Sequence, residues 1–241
     1  MEKTGIMDST KLSNADTIRS RGVEYRGDVR PLARWLKCHV IAGLESNAIL
    51  AYEFSSSNAH DITYYKTLVD AAIGVFPLRH VLADEAYLSE EVIGWSHDLH
   101  RIRAVIPVKR RWDLETKLMH YEICKELVEW YENNRKEFDE VFRFRVKVEA
   151  GFSVLKRMFD GNNWSRGRPN TGIGASGLMQ AKRNETLCKL IAYNLRSAVI
   201  QEHQTGYPIK IGTRTSYFHG SSPKTVGSIA RRKSHKGAKL V

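Results

Sequence analysis

Two apolar runs joined by a short polar link set the first readable pattern in the chain. Residues 34–43 ("RWLKCHVIAG") and 48–54 ("AILAYEF") flank "LESN", and that spacing predicts a β-hairpin. A short partial strand, "KTGIMD", comes before it. Asp61 is placed to cap a helix running to Ile73, with Leu68, Val69, Ala72 and Ile73 as its buried side. "RHVLAD" reads as a short apolar strand ending on Asp84. Ser89 follows as a cap, with Glu90 and Glu91 in the first turn, where the helix dipole favours anions. "IRAVIPV", residues 102–108, is another buried strand, and Lys109, Arg110 and Arg111 come directly after it.

Beyond this point the period changes to that of helices. Leu118, Tyr121, Leu127 and Trp130 predict a helix over 112–136. Val141, Phe144, Val148, Phe152, Leu155 and Phe159 recur at steps of three and four and predict an amphipathic helix with one buried face. Residues 161–177 ("GNNWSRGRPNTGIGASG") are Gly-rich and aperiodic, hence a loop. Asn184 is expected to cap a last helix whose Leu187, Leu190, Ile191, Leu195, Ala198 and Val199 share a face. The order of strand, hairpin, helix, strand, helix, strand and helices implies an α/β fold, a mixed sheet flanked by helices.

Charge changes this picture most. The formal net charge is +11 over 241 residues, and from Thr205 onward there are eight Lys or Arg and no Asp or Glu, leaving +3 for the rest. The chain therefore divides into a body, residues 1–203, and a basic tail, 204–241, whose composition predicts disorder. Such a tail is either a solvated extension or an arm that neutralises nucleic-acid phosphates. No apolar run approaches the roughly 18 residues of a membrane span, and no signal peptide opens the chain. A cytoplasmic protein without membrane partners is expected. Cys38, Cys124 and Cys188 are widely spaced and odd in number, so they read as reduced core residues.

Three carboxylates stand out by position. Asp8 closes the apolar run "GIMD", although "DST" reads equally as a turn; Asp84 ends a strand; Glu149 lies beside the apolar stripe of a helix. Strand ends in open α/β sheets are where ligands collect. Three convergent carboxylates need cations between them, and Mg²⁺ suits all-oxygen ligands. Two such ions about 3.5–4 Å apart can activate a hydroxyl and stabilise the leaving oxygen of a phosphodiester. Phe142, Arg145, Glu149 and Lys156 fall within one narrow arc of the helix, so Arg145 and Lys156 are candidates to contact substrate phosphates or to balance the carboxylates. The plainer reading of Glu149 is an ordinary helix acid pairing with Arg145 four residues earlier.

These motifs, taken in order, resemble the catalytic domain of DDE-class insertion-sequence transposases. That family's Tyr-x2-Arg-x3-Glu-x6-Lys signature has its counterpart in Phe142-x2-Arg145-x3-Glu149-x6-Lys156. "VLADEAYLSEE" resembles the family's strand-end Asp followed by an aromatic, here Asp84 and Tyr87, and "MDST" places Asp8 at the first catalytic Asp. "NETLCKLIAYNLRS" is similar to the closing helix. Two departures are a Phe where the signature has Tyr, and Glu85-Ala86 directly after Asp84. The resemblance implies a ribonuclease-H-like fold and metal-dependent DNA cleavage and strand transfer, with Asp8, Asp84 and Glu149 as catalytic ligands of two Mg²⁺ or Mn²⁺ ions. It also implies double-stranded DNA, transposon ends and target, as partner, a homodimer in the DNA complex, and association with the nucleoid. Arg145 and Lys156 would hold DNA, and Trp164, Arg166 and Arg168 in the Gly-rich loop are further DNA-binding candidates. Since the chain begins only seven residues before Asp8, a copy truncated at its N-terminal recognition domain is expected.

Competing readings remain at this level. One is a non-catalytic remnant that binds nucleic acid; another is a general nuclease of the same fold. His39 and His60 read as structural or surface residues, and Trp112 and Trp130 as core or interface aromatics.

Overall fold

The computed structural model describes residues 2–14, 35–56, 58–109, 119–165 and 175–206. Its centre is a six-stranded mixed sheet. β1 (Thr4–Asn14), β2 (Trp35–Gly43) and β3 (Ile49–Ser56) are antiparallel neighbours, while β4 (His80–Leu82) and β5 (Arg103–Val105) extend the other side of β1 in parallel. A two-residue β6 (Asn162–Asn163) pairs with the far end of β1. The expected mixed sheet flanked by helices is what forms.

The hairpin forms where the apolar runs placed it, and Asn47 closes its turn with φ 52°, a left-handed conformation that Asn tolerates. The carboxylate of Glu2 receives the backbone N–H groups of Glu45 and Ser46 at 3.0 and 2.9 Å, tying the start of β1 to that turn. β1 itself departs from expectation. It is not short, and "DST" is not a turn: the strand continues through Asn14 because β2 pairs with it along nearly its whole length. Local turn propensity yields to a ready ladder partner.

Alternation along β1 and β2 sends Ile6 and Val40 to one face and Met7, His39 and Ile41 to the other. Helix α1 (Tyr65–Ile73) buries Tyr65, Leu68, Val69 and Ala72, and α2 (Glu90–His100) buries Val92 and Ile93. Ser89 occupies the N-cap position of α2, although its side chain makes no capping bond. Helix α3 (Glu122–Asn133) covers only the second half of the predicted 112–136 helix; residues 112–118, including Trp112, lie outside the described residues.

The single amphipathic helix expected around Glu149 is three pieces: α4 (Arg135–Phe142), a 3₁₀ turn at Arg143–Arg145, and α5 (Val146–Phe159). Phe138 of α4 is fully buried among Trp130, Tyr131 and Phe142. Val148, Phe152 and Leu155 of α5 are buried in a seam with Ile6, Val40 and Ala42. Each such side chain contributes about 1.5–3 kcal/mol of transfer free energy. Phe144 belongs to neither stripe and is exposed.

Helix α6 (Ala175–Thr205) starts well before Asn184, which lies inside it and accepts a hydrogen bond from Gln180. Leu195 and Val199 are exposed, contrary to the apolar stripe; the buried side carries Lys182, Thr186, Lys189, Leu190, Tyr193 and Ser197. Gly151 lets α5 approach α6, since a Cβ there would lie 2.8 Å from the Tyr193 hydroxyl. Cys38 and Cys124 are buried as expected, but Cys188 is exposed. Among the described residues no helix is long and apolar enough to cross a membrane.

Candidate active site

Register brings the two aspartates level. β1 and β4 run parallel with Ile6 opposite Leu82, so two residues further on Asp8 and Asp84 stand side by side. There the strands part. Ala83 donates its N–H to Val105 of β5, and Asp84 caps the 3₁₀ turn Glu85–Tyr87 by accepting the Ala86 N–H at 3.0 Å. Asp8 likewise accepts the Ser9 N–H at 2.8 Å. Each aspartate therefore commits Oδ1 to a neighbouring amide and presents Oδ2 to the crevice where β4 leaves β1.

Arg145 fills that crevice from the 3₁₀ turn. Its Nη2 donates to Asp8 Oδ2 at 3.1 Å and to Asp84 Oδ2 at 3.2 Å, and its Nη1 donates to Glu149 Oε1 at 2.8 Å. The ordinary helix pair between Arg145 and Glu149 thus exists, but it is one arm of a three-carboxylate cluster. Burial pushes the Asp8 carboxyl above its usual range, and the charges of Asp84 and Glu149 add to that; the Arg145 guanidinium opposes the shift without cancelling it.

Tyr87 lies behind the cluster with 1% of its surface exposed. Its hydroxyl has no hydrogen-bond partner, and burial, followed by the charges of Asp61, Asp8 and Asp84, pushes its pKa far upward. Asp61 does not serve as the helix cap expected of it. It begins a 3₁₀ turn, and its Oδ1 lies 2.6 Å from Lys37 Nζ and 3.1 Å from His39 Nδ1. His39, fully buried, also meets Ser55 Oγ at 2.7 Å and stacks on Tyr64. His39 is therefore structural, as expected, but within a polar network on the opposite face of the sheet from Asp8.

Lys156 is exposed two turns beyond Glu149 and does not join the cluster. Trp164 is 52% exposed; its backbone N–H donates to Glu185, and its indole N–H donates to Asp160. Arg166 and Arg168 lie outside the described residues, as do Arg110, Arg111 and the tail from 207.

Sequence reasoning missed Phe144. It is 39% exposed, with the Arg143 guanidinium 5.5 Å and the Lys147 ammonium 5.9 Å from its ring centroid. The cations one residue before it and three after it were the available signal, hidden by an assumed continuous helix.

Among the described residues, no group of three or more His, Cys, Asp or Glu side chains is arranged to hold a metal ion as it stands; at this site Arg145 lies between the carboxylates. The donor set still suits a hard divalent cation, being three carboxylates that each turn one oxygen toward a single positive group. The transposase DDE domain family matches residues 1–171, a span that takes in all three acids, Arg145 and Lys156. The chain belongs to that family. No curated protein matches it. As a transposase DDE domain, it has its acids on β1, at the end of β4 and on the first turn of α5.

Proposed function

We propose that this DDE domain cleaves DNA and transfers strands at insertion-sequence ends, with Asp8, Asp84 and Glu149 as the ligands of two Mg²⁺ or Mn²⁺ ions. The observation that carries this reading is the convergence of three carboxylates from three separate elements on one cation. Such ions, when bound, polarise the scissile phosphate and activate the attacking hydroxyl.

The chain's own residues bind and orient. Hydrogen bonds donated by the Ser9 and Ala86 backbone N–H groups fix the two aspartates, and the apolar seam under α5 fixes Glu149 against the sheet. Lys156, exposed two turns along the same helix from Glu149, would contact the DNA backbone beyond the acids. Phe144 with Arg143 and Lys147 offers a ring face and two cations, a combination that suits an unpaired base and its phosphates. Trp164, exposed beyond the other end of α5 with Arg166 and Arg168 next to it in sequence, would supply a separate DNA contact. Residues 1–203 form the catalytic domain in this reading, and the basic segment 204–241 neutralises phosphates, so affinity falls with salt. Joining two ends calls for a homodimer on DNA.

The test is a cleavage and strand-transfer assay with the purified chain, Mn²⁺, and duplexes carrying the ends that flank its gene. Nicked and joined products are expected, and Asp84→Asn and Glu149→Gln should abolish both while circular dichroism stays unchanged. Hydrolysis without joining would make it a nuclease. Metal-independent DNA binding without any cleavage would make it an inactive remnant.

A further inference from the structure

We propose that Arg145 is an internal counter-ion that occupies the divalent-ion site of the resting chain, so that metal and guanidinium compete for the same three carboxylates and metal loading releases Arg145 toward substrate phosphate. This rests on the metal-dependent reading above and concerns what holds the site before metal arrives.

A structural ion pair would need one carboxylate, and Glu149 at four residues' distance supplies it. Arg145 instead reaches across the crevice to two further acids, from β1 and from the end of β4. Without it, two aspartate oxygens and a glutamate oxygen would face one another with nothing between them, and like charges that close disfavour joint ionisation. One guanidinium against three carboxylates leaves the site negative, so it still attracts a dication.

The fit is also incomplete. Each carboxylate takes a single N–H rather than the two-pronged contact that makes arginine–carboxylate pairs strong. The Nε of Arg145 is buried with no partner, and an orphaned buried donor costs free energy. An arginine that makes one hydrogen bond to each of three carboxylates, with one donor unsatisfied, can be displaced by an ion that meets all three more fully. The turn that carries it also holds Arg143 and Phe144, and Lys147, whose ammonium donates to the Leu44 carbonyl, follows on α5, so a released guanidinium joins two further cations beside an exposed ring.

Competition has a reciprocal consequence. If only a fraction of chains has the crevice clear, apparent metal affinity falls by that fraction, and removing the competitor restores it. A site closed by Arg145 nine times in ten would gain about tenfold in metal affinity when the arginine is removed.

The experiment measures Mn²⁺ binding by titration calorimetry and electron paramagnetic resonance on the full chain, stripped of metal beforehand. Arg145→Gln is expected to bind Mn²⁺ about tenfold more tightly than wild type. Its metal-free form should melt at a lower temperature, and Mn²⁺ should recover the difference. Lys147→Gln, which removes a nearby cation outside the cluster, should change Mn²⁺ affinity by less than about threefold. If Arg145→Gln fails to fold, Arg145→Lys serves, since a single ammonium cannot span three carboxylates, and it too should bind Mn²⁺ more tightly than wild type. In a second arm, Mn²⁺ should strengthen DNA binding by wild type more than by Arg145→Gln. Equal or weaker Mn²⁺ affinity in folded Arg145 variants overturns the inference alone, as does a gain matched by Lys147→Gln. No Mn²⁺ binding by any form overturns it together with the metal-dependent reading.

Discussion

Arg145 Nη2 lies 3.1 Å from Asp8 Oδ2, although 137 residues separate the two in the chain. The contact joins the middle of the first strand to the turn between α4 and α5. It sets how α5, and with it Glu149, meets the edge where β4 departs from β1.

Asp61 supplies a pH signature. Burial alone would raise its carboxyl, but hydrogen bonds from His39, Lys37 and Ser9 outweigh that and hold it at about 2. The folded value is below the unfolded one, so the associated stability is fully present above about pH 4 and is lost as pH falls through about 2. Asp61→Asn should cost on the order of 2 kcal/mol at neutral pH. In denaturant titrations the gap to wild type should close between about pH 4 and pH 2; a gap constant over that range would refute the assignment.

Tyr87→Phe should be neutral or mildly stabilising, by up to about 1 kcal/mol, because the hydroxyl it removes is buried without a partner. Thermal melts decide this. A loss of more than about 1 kcal/mol would mean that the hydroxyl is bonded after all.

Phe138→Ala should destabilise the chain by about 3–5 kcal/mol. The ring is fully buried and packs against Trp130, Tyr131 and Phe142. The same cluster anchors the helix leading into the Arg143–Arg145 turn, so the variant should also bind Mn²⁺ with altered affinity. Equilibrium unfolding and metal titration on one preparation test both effects.

Phe144→Ala should leave stability unchanged within about 0.5 kcal/mol, since the ring is exposed. It should weaken binding to DNA ends that carry an unpaired terminal base by about 1–3 kcal/mol, and binding to blunt duplexes much less. Equal losses on both substrates would remove the stacking role.

Much of the scaffold was legible because burial leaves a periodic mark. The hairpin, the strand before Asp84 and the strand from Arg103 are apolar runs of strand length, and their positions follow from the order of apolar and polar residues. Other elements left no such mark. α6 docks through polar bonds: Thr186 to Asn163 at 3.1 Å, Lys189 to the Asn162 carbonyl at 2.5 Å, and Asn194 to both backbone groups of Ile49 at 2.8 Å. Its apolar residues Leu195 and Val199 face outward, so a search for a hydrophobic stripe picks the wrong side. Asp61 misled for a related reason. A helix-preceding Asp is usually a cap, and only the arrival of Lys37 and His39 from β2 gives it different work.

Local pattern and family likeness were enough to set the order and spacing of the acids and to make the body a mixed sheet with helices. Tertiary structure alone decided that Arg145 stands among Asp8, Asp84 and Glu149, that "DST" is strand, and that the helix around Glu149 breaks just before it. The physical reason is that each of these depends on a partner distant in the chain. A ladder neighbour or a cross-sheet carboxylate has no periodic signature, and its energy exists only once the chain has closed on itself.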